Sequence, residues 1–227
     1  MKDLKYLMAY SVPLSVVVSF YFKGAASYTA LAYVFLFIPL AESIIPLKRK
    51  ELPVTDVKER ALNRFFDWLL YLNAPVVYAI LGFGLYDFST ASLMAYEYIG
   101  LVFALGILLA TNAVNVAHEL GHRKSKFEVL LTRILLLPCL YMHFTIEHNH
   151  GHHKHVATEL DPATAKKGQS LYHFWITSVI GQYKNAWRIQ TKLLNKHGAH
   201  FFSMKNNMLL FSVYQAAYLG GIYALFG

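Results

Sequence analysis

The chain has 227 residues, of which 56% are hydrophobic and only 15% charged, with a formal net charge of +8. This composition excludes an ordinary soluble domain and places the chain in a lipid bilayer. The single cysteine, Cys139, excludes an internal disulfide and a cysteine-based zinc site. The basic residues lie in loops between apolar stretches rather than beside aromatic residues on one polar face, so membrane topology, and not nucleic acid, explains the charge.

Five uncharged or nearly uncharged stretches approach the length of about 20 residues that a helix needs to cross the hydrocarbon. We predict spans at residues 6–22, 25–46, 67–86, 97–117 and 206–227. The loop after the second span contains the basic residues Lys48, Arg49, Lys50, Lys58, Arg60 and Arg64. Between the third and fourth spans the chain has Asp87 and, at the start of the fourth, Glu97, but no Lys or Arg. By the positive-inside rule the basic loop is cytoplasmic, and the fourth span ends in the cytoplasm at His118.

Residues 118–205 are predicted to form a cytoplasmic, histidine-rich cap. Their apolar run, 134–146, has only 13 residues and contains Pro138, which favours a re-entrant or interfacial segment. The amphipathic region 175–202 is expected to lie on the membrane. Its basic residues at four-residue spacing indicate a stripe that faces water and phospholipid: Lys184, Arg188, Lys192 and Lys196. The predicted fold is therefore an all-α polytopic bundle with this cap.

Eight of the eleven histidines fall between His118 and His155, which indicates a metal site near the inner face of the membrane. His118 and His122 are four residues apart, so on a helix their rings share one face. In the second cluster, His148 precedes His152 by four residues. His153 follows His152 directly, and adjacent helical residues point about 100° apart. We therefore expect these two to face different ions of a dinuclear centre.

Other polar residues near these clusters have two equally good interpretations. Glu119, Glu147 and Asp161 are candidates to accept the second ring N–H of a metal ligand, or are plain surface acids. Another group of histidines is predicted to bond to the ligands, to face water or to keep a ligand in register: His143, His150 and His155. The remaining histidines stay unassigned: His173, His197 and His200.

The segment His-Glu-Leu-Gly-His, residues 118–122, also matches the HExxH pattern of zinc proteases. In that alternative Glu119 is the general base and Asp161 supplies a third ligand. Such a site does not need five histidines, whereas an all-imidazole iron pair does. A histidine-rich metal transporter is a third alternative, but its ligands are expected near the midplane of the bilayer.

Two segments, NVAHELGHRK and HFTIEHNHGHHKHVATELDPAT, resemble the integral-membrane alkane 1-monooxygenases, relatives of the membrane fatty-acid desaturases. The second is the more specific, because three residues separate His148 from the pair His152 and His153, whereas desaturases usually have two. The resemblance extends over essentially the whole chain. It implies that the iron ligands are His118, His122, His148, His152 and His153.

The resemblance implies a di-iron enzyme of the bacterial inner membrane that hydroxylates the terminal methyl of medium- to long-chain alkanes. It also implies O2 as co-substrate and a rubredoxin-type electron donor with an NAD(P)H-dependent reductase. Several basic residues near the clusters are candidates to bind that acidic donor, and ordinary positive-inside loops explain them equally well: Arg123, Lys124, Lys154, Lys166 and Lys167. A fatty-acyl desaturase-like oxidase is the nearest alternative within the superfamily.

The chain departs from this family at its C-terminal end. The family's later motifs, an Asn-Tyr-x-Glu-His-Tyr-Gly segment and a His-x-x-His-His box, are absent. Five of nine expected ligand histidines are therefore present. The resemblance leads us to expect a C-terminally truncated fragment of a protein with a sixth span.

Overall fold

The computed structural model describes residues 3–45 and 63–227, and within these residues the regular elements are helices. In chain order they are α1 Leu4–Phe22, α2 Gly24–Ile44, α3 Arg64–Thr90, α4 Ala95–Gly121, α5 Lys126–Leu136, α6 at 144–155, α7 Leu171–Lys196 and α8 Asn207–Phe226. In the described ranges, α1, α2, α3, α4 and α8 are long and apolar enough to cross a membrane. The predicted all-α polytopic fold is confirmed.

Helix α4 continues to Gly121, so His118 lies in its last turn rather than just after a span. The apolar run 134–146 does not form a spanning helix. Helix α5 ends at Leu136, and the chain then turns through Pro138 and Leu140, whose φ is 51°. The basic loop residues 48–60 and residue 46, the end of the second predicted span, lie outside the described residues.

The chain divides into two compact units. Unit 1 comprises Met1–Leu120, Ser125–Leu135 and Phe226–Gly227, and unit 2 comprises Gly121–Lys124 and Leu136–Leu225. Helices α1 to α5 therefore belong to unit 1 almost entirely, whereas α6, α7 and all of α8 except Phe226 belong to unit 2.

Polar side chains buried among the spans of unit 1 hold the part of α4 that leads to His118. In α3, the amide of Asn73 donates to the carbonyls of Leu69 and Leu70 at a break in the helix near Pro75. Nδ2 of Asn112 on α4 donates to Oδ1 of Asn73 at 2.8 Å, and both side chains are buried. Asn112 lies in the wide helical turn Leu109–Val114, which ends four residues before His118. A buried amide pair of this kind fixes the register of neighbouring spans.

Helix α7 is the support on which the polar segments of unit 2 pack. Its buried residues recur every four positions along one face: Ser178, Gln182, Ala186, Gln190 and Leu194. The Tyr141 hydroxyl donates to Gln182 at 2.8 Å, and Nε2 of Gln190 donates to the Lys205 carbonyl at 3.1 Å. The segments before α6 and after α7 are thus both fixed to this helix.

Candidate metal centre

Three histidine rings of unit 2 meet with their Nε2 atoms. Nε2 of His148 lies 3.2 Å from Nε2 of His122 and 3.0 Å from Nε2 of His153. Imidazole nitrogens bound at about 2.1 Å to one metal ion are about 3.0 Å apart at a 90° angle and about 3.4 Å apart at a tetrahedral angle. The observed separations fall in this range. Nε2 of His148 is therefore close enough to share a metal ion with His122 and with His153.

A wide helical turn produces the pairing of His148 with His153. Residues His148–His152 form a π-helical turn, in which the His153 N–H donates to the His148 carbonyl, five residues earlier. In such a turn the residue five positions after His148, which is His153, lies above His148 along the helix axis. In a regular α-helix the residue four positions after it, His152, would be closer to this position. The four-residue spacing in the sequence suggests that His148 pairs with His152, but the nitrogen closest to His148 in this turn belongs to His153.

His152 faces a carboxylate instead. Its Nδ1 donates to Oδ2 of Asp161 at 2.9 Å, which leaves Nε2 as the nitrogen available to a metal. Burial alone would raise the pKa of Asp161, but hydrogen bonds from Thr164, the Ala163 N–H and His152 outweigh it and lower the pKa. An ionised Asp161 is a strong acceptor that fixes the tautomer and orientation of His152.

The loop with Asp161 rests directly on α7. A Cβ atom at Gly181 would lie 2.6 Å from Cβ of Pro162, so only glycine at this position allows the loop so close. Pro162 follows Asp161 in the chain. The contact between Gly181 and Pro162 therefore sets the position of the carboxylate that holds His152.

Glu147, next to His148, is completely buried. Nδ2 of Asn185 on α7 donates to its Oε1 at 3.1 Å. Desolvation raises the pKa of Glu147 despite this bond from Asn185. A Cβ atom at Gly151 would lie 2.6 Å from Glu147 Oε1 and 2.8 Å from Asn185 Nδ2. Gly151 thus allows the histidine turn to pack tightly against α7.

His118 lies one turn before His122 at the end of α4. On a helix, a spacing of four residues places two rings on one face. The neighbouring Glu119 is exposed. The assignment of His118 as a ligand, like that of the other four histidines, stays a prediction.

His143 lies apart from the convergent nitrogens. Its ring is buried between Tyr141 and Tyr183, with centroid distances of 4.6 and 5.1 Å. Neither ring nitrogen has a hydrogen-bond partner among the described residues. Desolvation lowers the pKa of His143 to about 4, so the ring is neutral at pH 7.

The basic residues predicted to bind an electron donor are solvent-accessible but lie at different places in unit 2. Lys166 and Lys167 line a cavity of about 440 Å³ that also contacts Asp161 and His173. Lys154 lines another cavity, of about 250 Å³, between α6 and α7. Arg123 and Lys124 follow His122 directly. Their role in binding a partner stays a prediction.

Residues of α7 were missed by sequence reasoning. Asn185 and Gly181 contact the segments that contain Glu147 and Asp161, but in sequence they stand in an amphipathic pattern with no chemical motif. Gly151 had a better signal, since a glycine inside a histidine cluster suggests that another backbone or side chain approaches closely.

Apolar helices together with a cluster of imidazole rings define a polytopic membrane protein of the histidine-cluster type. The chain belongs to the fatty acid desaturase family, whose profile matches residues 95–227. The predicted superfamily is thereby confirmed.

Several curated relatives are named alkane 1-monooxygenases. Alkane 1-monooxygenase 1 of Alcanivorax borkumensis is 33% identical over 190 residues, which are 84% of this chain and 47% of the relative. Alkane 1-monooxygenase of Pseudomonas putida is 34% identical over 172 residues, 76% of this chain and 42% of the relative. The xylene/toluene monooxygenase hydroxylase component XylM of Pseudomonas putida is 25% identical over 237 residues, 97% of this chain and 60% of the relative. The chain thus spans about half the length of the first two.

Proposed function

We propose that this chain is part of a membrane-bound non-haem di-iron monooxygenase that hydroxylates the terminal methyl group of medium- to long-chain alkanes. The similarity to alkane 1-monooxygenases over most of the chain supports this substrate class. The convergence of the Nε2 atoms of His122, His148 and His153 is the observation on which the proposal rests. An all-imidazole set suits iron and is compatible with open positions for O2.

The ligand residues have separate tasks in this proposal. His122, His148 and His153 would hold one iron, and His118, in the last turn of α4, would supply a further ligand. His152, oriented by Asp161, would direct its Nε2 to the second iron. Glu147 and Asn185 would keep the histidine turn against α7. The hydrogen bonds to Asp161 keep its carboxylate ionised, so that the proton stays on Nδ1 of His152 and is donated to Asp161.

When bound, the irons would supply the activation of O2. The balanced reaction inserts one oxygen atom into a methyl C–H bond of the alkane and releases the other as water, with two electrons and two protons taken up. The electrons would come from a rubredoxin-type donor reduced by an NAD(P)H-dependent reductase. Arg123, Lys124, Lys154, Lys166 and Lys167 would attract this acidic donor.

We propose that the protein resides in the bacterial inner membrane with the histidines on the cytoplasmic side. The basic loop before α3 and the absence of basic residues between α3 and α4 support this orientation. An apolar substrate would reach the site from the bilayer. Reporter fusions at the two ends of α4 would test the orientation, and a periplasmic signal at Gly121 would contradict it.

Metal analysis of the purified, detergent-solubilised protein from the complete gene tests the central proposal. We expect about two irons per chain, most of which a His148→Ala/His152→Ala variant loses. The same preparation with an electron donor system should convert octane to 1-octanol with stoichiometric O2 consumption. One zinc and no iron would contradict the proposal and favour a protease.

A Glu119→Gln variant further distinguishes a di-iron hydroxylase from a zinc protease. A zinc protease would lose peptide cleavage, whereas the hydroxylase should keep its iron. Asp161 already has hydrogen-bond partners on both oxygens, His152 and Thr164 on Oδ2 and the Ala163 N–H on Oδ1. This arrangement favours a supporting role for Asp161 over that of a zinc ligand.

The family profile favours one second candidate, a fatty-acyl desaturase-like oxidase. Both candidates use O2 and two electrons, but a desaturase forms a C=C bond and releases both oxygen atoms as water. Mass spectrometry of the products under ¹⁸O2 distinguishes them, because only hydroxylation leaves a labelled oxygen atom in the organic product.

A further inference from the structure

A cavity of about 250 Å³ lies between the histidine turn of α6 and the second half of α7. Its volume equals that of about eight water molecules at about 30 Å³ each, which is small for a drug-sized ligand but sufficient for a phosphate group. Lys154, Arg188 and Lys192 line it, and Ile189 and Leu193 supply an apolar side. The cavity is therefore a small concave site with three cations.

These cations have no acidic counterpart in the structure that is described. Among the residues that the structure describes, no Asp or Glu lines the cavity. None of the carboxylates within residues 3–45 and 63–227 forms an ion pair with Lys154, Arg188 or Lys192. Arg188 and Lys192 are also four residues apart on α7, where like charges repel each other. A bound anion would remove this repulsion.

The half of α7 that lines the cavity contacts the segment that leads into the apolar helix α8. Gln190, between Arg188 and Lys192, donates to the carbonyl of Lys205 at 3.1 Å. Lys205 is two residues before Asn207, the first residue of the apolar helix α8. Gln190 stands between Arg188 and Lys192 in the helix, so α7 contacts the start of α8 at the level of these two cations. With α8 across the bilayer, as its length and hydropathy allow, this level corresponds to the lipid headgroups.

The exposed side chains of α7 change character along the helix. Its first half exposes a series of large apolar residues: Leu171, Tyr172, Trp175, Ile176, Val179 and Ile180. Its second half exposes the basic residues, beginning at Lys184. A helix that passes from an apolar, aromatic face to a basic one is typical of the boundary between acyl chains and anionic headgroups.

We infer that the cavity lined by Lys154, Arg188 and Lys192 binds the phosphate group of an anionic phospholipid from the cytoplasmic leaflet. This site goes beyond the proposed function and does not depend on iron. The guanidinium and ammonium groups would donate charge-assisted hydrogen bonds to the phosphodiester oxygens. Ile189 and Leu193 would contact the first carbons of the lipid.

Titration of the full-length protein in a neutral detergent with dioctanoyl phosphatidylglycerol tests the site, with bound lipids counted by native mass spectrometry. We expect one tight site, and an Arg188→Gln/Lys192→Gln variant should bind about tenfold more weakly, equivalent to about 1.4 kcal/mol. The zwitterionic dioctanoyl phosphatidylcholine should bind the unmodified protein about tenfold more weakly than phosphatidylglycerol.

A Lys184→Gln/Lys196→Gln variant is the matched control. It loses the same two charges from the same helix, but neither residue lines the cavity, so its affinity should change less than twofold. Equal weakening in both variants would overturn the site and leave only diffuse surface charge. Because all four positions are exposed, the helical circular dichroism of both variants should match that of the parent.

Two other ligands of the cavity, inorganic phosphate and an acidic protein, would give different binding results. Inorganic phosphate that binds as tightly as the lipid would overturn the assignment to a headgroup. Binding of an acidic electron-transfer protein without binding of the lipid would overturn it in favour of a protein-docking surface. Iron content, measured on the same samples, should be unchanged in the cavity variant, which separates failure of this site from failure of the proposed function.

Discussion

The two histidine segments share a spacing of four residues but use it differently. In the first, the wide turn Leu109–Val114 lies before the histidines, and His118 lies in a regular helical turn. In the second, the wide turn contains the histidines, and His148 pairs with His153 at five residues. The spacing in the sequence therefore does not by itself determine which nitrogens pair, because the number of residues per turn differs between the two segments.

The supports of the two segments differ as well. The wide turn in α4 is held by a buried amide pair, Asn73 and Asn112, within the spans of unit 1. The wide turn in α6 rests on α7 through Asn185 and through the small residue Gly151. Wide turns in helices are frequently found at functional sites, and each here has its own polar support.

The largest effect is expected from His153→Ala in the full-length protein. It removes the Nε2 atom that faces His148, so we expect bound iron to fall by at least half and hydroxylation to be lost. Metal analysis measures this change. His150→Ala is the control, because His150 lies on the same turn but outside the convergent nitrogens. Equal iron loss in both variants would contradict the five-residue pairing.

Asp161→Asn should come next. The neutral side chain no longer stabilises the Nδ1–H tautomer of His152 as an ionised acceptor, and loss of such a partner typically lowers metal affinity about 10- to 100-fold. Competition with a chelator measures the change. Glu159→Gln on the same loop should leave the affinity unaltered, and a similar loss there would indicate a general effect of charge.

Gly151→Ala tests the packing of the second segment on α7. The added methyl would overlap Glu147 and Asn185, and overpacking of this kind costs about 1–3 kcal/mol. The midpoint of thermal unfolding in detergent should fall accordingly. Gly106→Ala places a methyl on α4 where, beyond the adjacent backbone of its own helix, no heavy atom of the described residues lies within 4 Å, so it should not lower the midpoint. An unchanged midpoint for Gly151→Ala would show that the turn is not tightly packed.

The smallest effect concerns pH. His143 has a folded-state pKa lowered by burial to about 4, so between its ordinary pKa of about 6.5 and this value only the unfolded chain binds the proton. Stability is therefore complete above about pH 6.5 and falls on acidification. From pH 7.5 to 5.5 the expected loss is about 1 kcal/mol. A His143→Phe variant should show a shallower fall in thermal midpoint over this range, and identical slopes would contradict it.

The spans could be predicted from the sequence, because an uninterrupted apolar run of about 20 residues rarely folds as anything other than a membrane helix. Sequence reasoning also identified the histidines and placed Asp161 among the possible partners of their rings. It did not recover the pairing of His148 with His153, because residues per turn depend on local hydrogen bonds and not on spacing. The contributions of Asn185 and Gly181 were also missed, since the contacts that give them meaning involve residues more than 15 positions away.

The dependence of the histidine turn on α7 has a consequence for biosynthesis. The histidines leave the ribosome first, and at about 5–20 residues per second the end of α7 follows His153 by about 2–9 s. Until then Asn185, which donates to Glu147, and Gly181, which packs against Pro162, have not yet folded into α7. During that interval no helix supports the turn that contains the imidazole rings. Loading of a metal ion would therefore be a late event, after the polypeptide beyond the histidines has been made.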